Sequence, residues 1–511
     1  MIEMRDGVRL ATDVYLSRYP QQPHGAILLR TPYDKNDLRL IGFLGGVLGW
    51  PIIIQDIRGK HASEGDAPTF RYSLVDGPDT IAWIANQSWC NGKIATIGPS
   101  ALGIDQYLTA GSNPDHLACQ FIQVAMPNLY KYAVYPGGEY RKSLVDGWIQ
   151  GFSNSSMIPE LHQNENYTKS YWGYENIEDD WHNISIPAIH IGGWYDIYCQ
   201  GILDGFYGYQ HLSQPQVQGK SKLIMGPWTH EGSITTQQGQ LRYPLNSLDT
   251  FSLLLFYQMI RQYTMDIPTF FDRWPAVTYY VMGDVDSHFT PGNEWRTADD
   301  WPIPSHQRSW YFHADGSLQL QPMTSSTNVS YFYDPTDPVP TIGGQNLMIP
   351  AGPYDQSGVE QRDDVLVFTS EELTQPYEAT GKIDARLYVS SSCSDTDFTV
   401  KLTDVYPDGR SMLLTDGILR MRKRNGNDHW DFMEPEIVYN VTIDLSSTSY
   451  IWNTGHRIRV SVSSSNYPRF LANPNTKDGI AQNMTYEIAE NTLHLSPKHK
   501  SCIILPEPLL E

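Results

Sequence analysis

Cysteine is scarce in this chain. Its 511 residues include five (Cys90, Cys119, Cys199, Cys393 and Cys502), an odd set with no CxxC pair and no metal-ligand spacing. That excludes a disulfide framework and a structural metal site, and it reads as free, mostly buried thiols of a reducing compartment. Positive charge is also short: 36 Lys and Arg stand against 57 Asp and Glu, a formal net charge of −21, and no Lys/Arg run offsets it. An acidic surface repels polyanions, so no nucleic-acid partner is expected. Long hydrophobic runs are missing. The stretch over residues 43–54 is broken by Gly and Pro and is too short to span a bilayer, so no membrane partner is expected either. The first residues, MIEMRDGVRL, have no apolar leader core, and the cytoplasm is the default location. There is no internal repeat and no low-complexity segment.

What is present is a globular composition, 40% hydrophobic and 12% aromatic, long enough for two or three domains. Residues 5–15 alternate around an Asp-Gly turn and predict a hairpin at a sheet edge. Continuous apolar runs at 26–30 (AILLR) and 51–55 (PIIIQ) predict strands buried on both faces. A helix over 75–86, a strand over 94–97, a helix from Gly103 and a buried run at 121–124 follow. Strands alternating with helices point to a parallel, doubly wound α/β sheet. Residues 127–185, rich in Tyr, Trp, Asn and Glu, lack strand periodicity and read as an inserted, short helical cap. The sheet resumes at 186–191 and 222–225, and a helix over 252–263 ends this part. From about residue 275 short alternating runs separated by Gly, Pro, Asp and Asn turns predict a β sandwich or jelly roll.

The stretch 93–103, KIATIGPSALG, organises the chemistry. It reads as strand, tight turn and helix with Ser100 on the turn, the pattern of a nucleophile elbow. Asp196 and His230 follow, each just beyond the carboxyl end of a predicted strand, where open α/β sheets place their ligands. The order Ser, Asp, His is that of the α/β-hydrolase fold. A serine hydroxyl needs a base to take its proton, and a histidine held by a carboxylate supplies one. His61 and His190 read as structural, and Arg58, Glu64 and Asp76 as loop braces. Asp395, Asp397, Asp404 and Asp408 lack the spacing of a calcium loop and read as turns.

The blocks MRDGVRLATDVY, RTPYDK, QDIRGKHASEG, DGPDTIAWIANQSWCNGK, GGWYD and GPWTH, followed by YDPTDPVPTIGG, GPYDQSGVEQRDDVLVFTS and SSSNYPRF, resemble the CocE/NonD family of α/β-hydrolases along nearly the whole chain. The resemblance implies an α/β-hydrolase domain (1–126 and 186–270), a helical cap (127–185) and a C-terminal jelly roll (271–511) closing one wall of the cleft. It implies Ser100 as nucleophile, Asp196 as the acid and His230 as the base, with an oxyanion hole formed by the Tyr33 hydroxyl and the Ala101 N–H, and no cofactor or metal. Trp148, Trp194 and Tyr195 are expected to line the acyl pocket. The family elbow usually carries a tyrosine where Ala101 stands. Alanine keeps the N–H donor and removes the aromatic bulk. Pro99 before the nucleophile removes an N–H at the strand end, tolerable only where that ladder bond is not needed. The short cap predicts an open site.

The expected activity is cofactor-free cleavage of an ester or amide of a small-molecule substrate through an acyl-enzyme. A carboxylesterase, an acylase or aminoacyl-ester hydrolase, and an X-prolyl dipeptidyl-peptidase all fit. The aminoacyl and X-prolyl readings need carboxylates for a substrate ammonium, and Glu139 and Asp146 are the candidates. An acyltransferase and a non-catalytic binding protein are the readings from other classes. Homo-oligomerisation is left open.

Overall fold

Strand β1 (Thr12–Tyr15) is followed by β2 (His24–Thr31), β3 (Ile52–Asp56), β4 (Cys90–Pro99), β5 (Leu117–Gln123), β6 (Ala188–Tyr195), β7 (Lys222–Thr229) and β8 (Val277–Gly283). The structure, a computed structural model, describes residues 1–17, 24–66, 70–153, 155–287, 290–482 and 484–509. These strands form one sheet in the order β1-β3-β2-β4-β5-β6-β7-β8. β1 is antiparallel to β3, and every other neighbouring pair is parallel. Ahead of β1, Ile2–Glu3 pairs with Arg9–Leu10 across the turn at Gly7.

The apolar runs are continuous because both faces are covered. Ile27 and Leu29 of β2 pack with Ile52, Ile54 and Phe121 against Leu255, Met259 and Ile260 of helix Ser252–Met265. The alternate residues Ala26 and Leu28 join Ile53 and Ile94 in the opposite core. There they meet Ile81 and Ile84 of helix Ser73–Ala85, Ile104 and Leu108 of Ala101–Gly111, and Ile202 and Phe206 of Cys199–Tyr207.

Between β5 and β6 the chain leaves the sheet as short helices, Lys142–Phe152, Met157–Gln163 and Lys169–Trp172, with single turns between them. After β8 it builds a two-layer β domain. The four-stranded layer runs in the order Leu366–Thr369, Arg457–Ser463, Asp397–Val405, Ser411–Arg420. The other is organised on Tyr377–Ser391 and Tyr439–Trp452. β8 joins the two parts. Val277–Tyr279 pair with β7, while Met282 and Gly283 pair in parallel with Tyr450 and Ile451, so one sheet runs from the α/β part into the β domain.

The acidic strings of the β domain behave differently from the turns expected of them. Only Asp408 sits in a turn, bonded to Arg410. Asp395, Asp397 and Asp404 are buried. Asp404 pairs with His456 at 2.8 Å. Asp395 and Asp397 belong to a buried ionic cluster in which the Arg420 guanidinium lies 2.8 Å from Glu139 of the cap and 3.6 Å from Glu165, Asp395 and Asp397. Spacing along the chain cannot show this, because the cations they meet are on another strand. The cap turn at Gly137 presses on the same strand: φ is +63° and an added Cβ would lie 1.9 Å from Ile418 O, so only glycine fits.

Candidate active site

Ser100 sits between β4 and helix Ala101–Gly111 with φ 56° and ψ −123°, a strained backbone that holds its side chain clear of the sheet. Two glycines permit the sharp reversal. A Cβ on Gly98 would lie 2.4 Å from Leu102 Cβ, and one on Gly103 would lie 2.6 Å from Ala125 Cβ and 3.1 Å from Gln123 O. Pro99 is accommodated because the bond to Gln123 O is made by the Ser100 N–H, at 2.9 Å.

β6 and β7 deliver the other two groups. His230 Nε2 is 2.9 Å from Ser100 Oγ, and Nδ1 is 2.5 Å from Asp196 Oδ2. Asp196 is fully buried, and its other oxygen accepts the Tyr198 N–H at 2.7 Å. With both carboxylate oxygens engaged, the imidazole is held with Nδ1 toward the acid and Nε2 toward the hydroxyl, the geometry of a general base on a serine. Tyr198 packs edge-on against the His230 ring at 5.8 Å.

The TPYD loop lies across the strand ends. Asp34 accepts the Asn36 N–H at 2.9 Å, and Asp56 of β3 accepts the Lys35 N–H at 2.7 Å, tying two separate sequence blocks into one support. Tyr33 is thereby placed beside Ser100. Its hydroxyl oxygen accepts the Trp148 indole N–H at 3.0 Å, and burial pushes its pKa up, so it stays protonated and able to donate. Ala101 opens its helix, so its N–H has no partner within the helix, and the residue lines the same cavity as Ser100.

A cavity of about 80 Å³ opens from Ser100 and Ala101. The cap walls it with Val134, Leu144, Ile149 and Trp148, the α/β part with Phe70 and Ile104, and the β domain with Leu347. The cap is short yet supplies much of this wall. Arg71 and Glu175 are the charged residues of the lining among the described residues. Burial pushes Glu175 up to about 7.

Trp148 lies where expected. Trp194 and Tyr195 do not line the cavity. Both are fully buried, the Trp194 indole donating to Tyr280 O at 2.7 Å and the Tyr195 hydroxyl to Leu413 O at 3.2 Å. β6 is covered on both faces, so its alternating side chains enter the junction with the β domain. Glu139 is held by Arg420, and Asp146 by Lys142 at 2.7 Å and Tyr140 at 2.7 Å, so neither carboxylate is free for a substrate ammonium. His61 bonds Pro32 O, and His190, pushed down to about 3 by burial, bonds the Tyr107 hydroxyl. Arg58 bonds Asp76 and Asp6, while Glu64 pairs with Arg9, as braces do.

One residue escapes sequence reading. Buried Arg141 donates to Tyr132 O (3.1 Å), Ile197 O (2.9 Å) and Gln345 O, stitching cap, acid loop and β domain together. Gln345 in turn donates to Trp194 O at 3.1 Å. All the acceptors are backbone carbonyls, which leave no trace in sequence. Among the described residues, no group of three or more His, Cys, Asp or Glu is arranged to hold a metal ion.

A doubly wound sheet with serine, histidine and buried aspartate converging at its strand ends defines a serine hydrolase of the α/β-hydrolase class. Comparison with known proteins narrows the class. Residues 6–165 and 149–232 match the model of the X-Pro dipeptidyl-peptidase (S15 family), and residues 269–504 match the X-Pro dipeptidyl-peptidase C-terminal non-catalytic domain. The chain is 33% identical over 580 residues to cocaine esterase from Rhodococcus sp. (strain MB1 Bresler), covering 99% of this chain and 97% of that esterase. Among solved structures, an aminopeptidase from a marine sediment Thaumarchaeota archaeon superposes with a TM-score of 0.84 at 25% identity, covering 99% of this chain and 95% of its own. A CocE/NonD family hydrolase from Staphylococcus aureus shares the fold, with a TM-score of 0.78 at 17% identity and coverage of 99% and 92%. The chain belongs to the CocE/NonD family of α/β-hydrolases.

Proposed function

We propose that this enzyme hydrolyses carboxylic esters through an acyl-enzyme on Ser100. The observation that carries the reading is the relay in which His230 reaches Ser100 Oγ at 2.9 Å while its other nitrogen is held by buried Asp196. His230 takes the Ser100 proton as Oγ attacks the acyl carbonyl, then returns it to the departing alcohol. In the second half it deprotonates water, which attacks the acyl carbon and releases Ser100. Asp196 holds the tautomer and offsets the imidazolium charge. The Tyr33 hydroxyl and the Ala101 N–H receive the oxyanion, and one such donor contributes about 3 kcal/mol.

Three observations favour esters over aminoacyl or X-prolyl substrates. The cavity is walled mainly by apolar side chains, Glu139 and Asp146 are engaged elsewhere, and a relative matched over nearly the full length at 33% identity, against 25% for the aminopeptidase, is named an esterase. A cytoplasmic location fits five buried, unbridged cysteines and the absence, among the described residues, of a helix long and apolar enough to cross a membrane. The test is a panel of p-nitrophenyl esters, aminoacyl nitroanilides and Xaa-Pro nitroanilides against wild type and Ser100→Ala, with product analysis in added alcohol or amine. Ester turnover that vanishes in Ser100→Ala, with water as acceptor, supports the reading. Preferential anilide cleavage or acyl transfer to the added nucleophile overturns it.

A further inference from the structure

The cavity that opens at Ser100 is apolar along most of its wall but carries one charged pair, Arg71 and Glu175. Neither residue forms a hydrogen bond or ion pair with Ser100, His230, Asp196 or Tyr33, so the pair is a second polar point within the pocket. The Arg71 Nε is buried without a hydrogen-bond partner, and the nearest Glu175 oxygen is 3.8 Å away, beyond hydrogen-bonding reach. A guanidinium cannot discard its protons, so this is a standing, unfilled donor. The Arg71 guanidinium lies over the Tyr171 ring at 4.4 Å, which fixes its plane and leaves its edge for a ligand.

We propose that Arg71 and Glu175 form a subsite for an acyl tail ending in a carboxamide, whose carbonyl accepts from Arg71 and whose N–H donates to Glu175. The assignment rests on the ester-hydrolase reading and adds to it the chemistry of the acyl tail. The charges select among the tails. A carboxylate would share one cation with Glu175, which already has Glu160 as a like-charged neighbour. An ammonium would be set against Arg71. An amide is neutral and carries both the acceptor and the donor that the pair needs, so it leaves no buried charge uncompensated. A methyl-terminated tail leaves the Arg71 donor unfilled, the arrangement that most strongly rejects an apolar analogue in a polar site.

The experiment measures kcat/KM for p-nitrophenyl esters of four- to eight-carbon acids ending in methyl, carboxamide, carboxylate or ammonium. At one chain length wild type is expected to prefer the carboxamide over its methyl-ended counterpart by about tenfold or more, the discrimination of one satisfied polar contact. Arg71→Met and Glu175→Leu should each collapse that ratio toward one. Arg71→Lys, which keeps the charge without the planar fork, should retain only part of it. A wild-type series with no carboxamide preference at any length, a preference for carboxylate or ammonium, or a ratio unchanged in Arg71→Met would overturn the subsite, and the wild-type arm needs no variant to fold. Failure of the underlying reading looks different: no ester of any tail is cleaved, or cleavage survives Ser100→Ala.

Discussion

The Tyr33 hydroxyl links two parts of the site. It lies beside Ser100 and receives the Trp148 N–H, so its lone pair is engaged and its own proton is free for the oxyanion. Because such a donor acts on the transition state, Tyr33→Phe should lower kcat on the order of 10²-fold and leave KM little changed. Trp148→Phe keeps an aromatic ring against Phe70, stacked at 6.1 Å, and removes only the N–H. It should lower kcat by about tenfold, a lost neutral hydrogen bond to a working group. The two effects share one path, so the double variant should be no slower than Tyr33→Phe alone; steady-state kinetics on all four proteins decides it. Fluorophosphonate labelling read by mass spectrometry should mark Ser100 in wild type, and no labelling or turnover should remain in Ser100→Ala.

At the scale of the elements, the elbow depends on how closely Ala101–Gly111 approaches β5. Gly103 leaves no room for a side chain: the nearest atoms to an added Cβ are Ala125 Cβ at 2.6 Å and Gln123 O at 3.1 Å, the second of them backbone. Gly103→Ala should push the helix outward and carry Ser100 and the Ala101 N–H with it. A displacement of this kind costs about 10²-fold in kcat, with the protein still folded by circular dichroism. The apolar runs mark the buried strands, but not their bounds: β4 and β5 begin four residues before the runs at 94–97 and 121–124. β6 and β7 extend further than their apolar runs, to Tyr195 and Thr229. Their last residues are Gly, Pro, Trp, Tyr and Thr, whose extended conformation is decided by the neighbouring strand.

Across the whole molecule, cap and β domain are held by ions buried between them. Arg420→Met would leave Glu139, Glu165 and Asp397 around an apolar side chain, while Asp395 keeps Arg422 at 2.7 Å. It should destabilise by about 3–5 kcal/mol, read as a lowered Tm, and Asp397→Asn added to it should recover part of the loss. A second buried ion pair gives a pH signature. Burial alone would lower His456, but its bonds to Asp284 and Asp404 push it up to about 9. Tyr450 bonds Asp404 at 2.6 Å, and the Tyr406 ring packs on His456 at 4.5 Å. A folded-state pKa raised above the ordinary value of about 6.5 means stability that is complete below pH 6.5 and lost as pH rises through about 9. Thermal melts should therefore show Tm falling over that window in wild type and a flatter profile in His456→Asn.

The sequence by itself determined which residues meet at the strand ends. Ser100, Asp196 and His230 each follow an apolar run, and in a parallel sheet the ends of such runs lie along one edge, so local pattern and chain order suffice to gather them. It also determined the α/β-to-β change near residue 275, because turn spacing and alternation are local properties. Only the tertiary structure decided where the neighbouring side chains go. Trp194 and Tyr195 stand beside the acid in sequence, but β6 is buried on both faces and sends them into the β-domain junction. Asp395, Asp397 and Asp404 resemble turn residues until strands far away in sequence bring Arg420 and His456 against them. Arg141 works through backbone carbonyls alone, and β8 carries one continuous sheet from the α/β part into the β domain. Each of these depends on contacts between distant segments, where burial and charge pairing are set by packing that local sequence pattern does not encode.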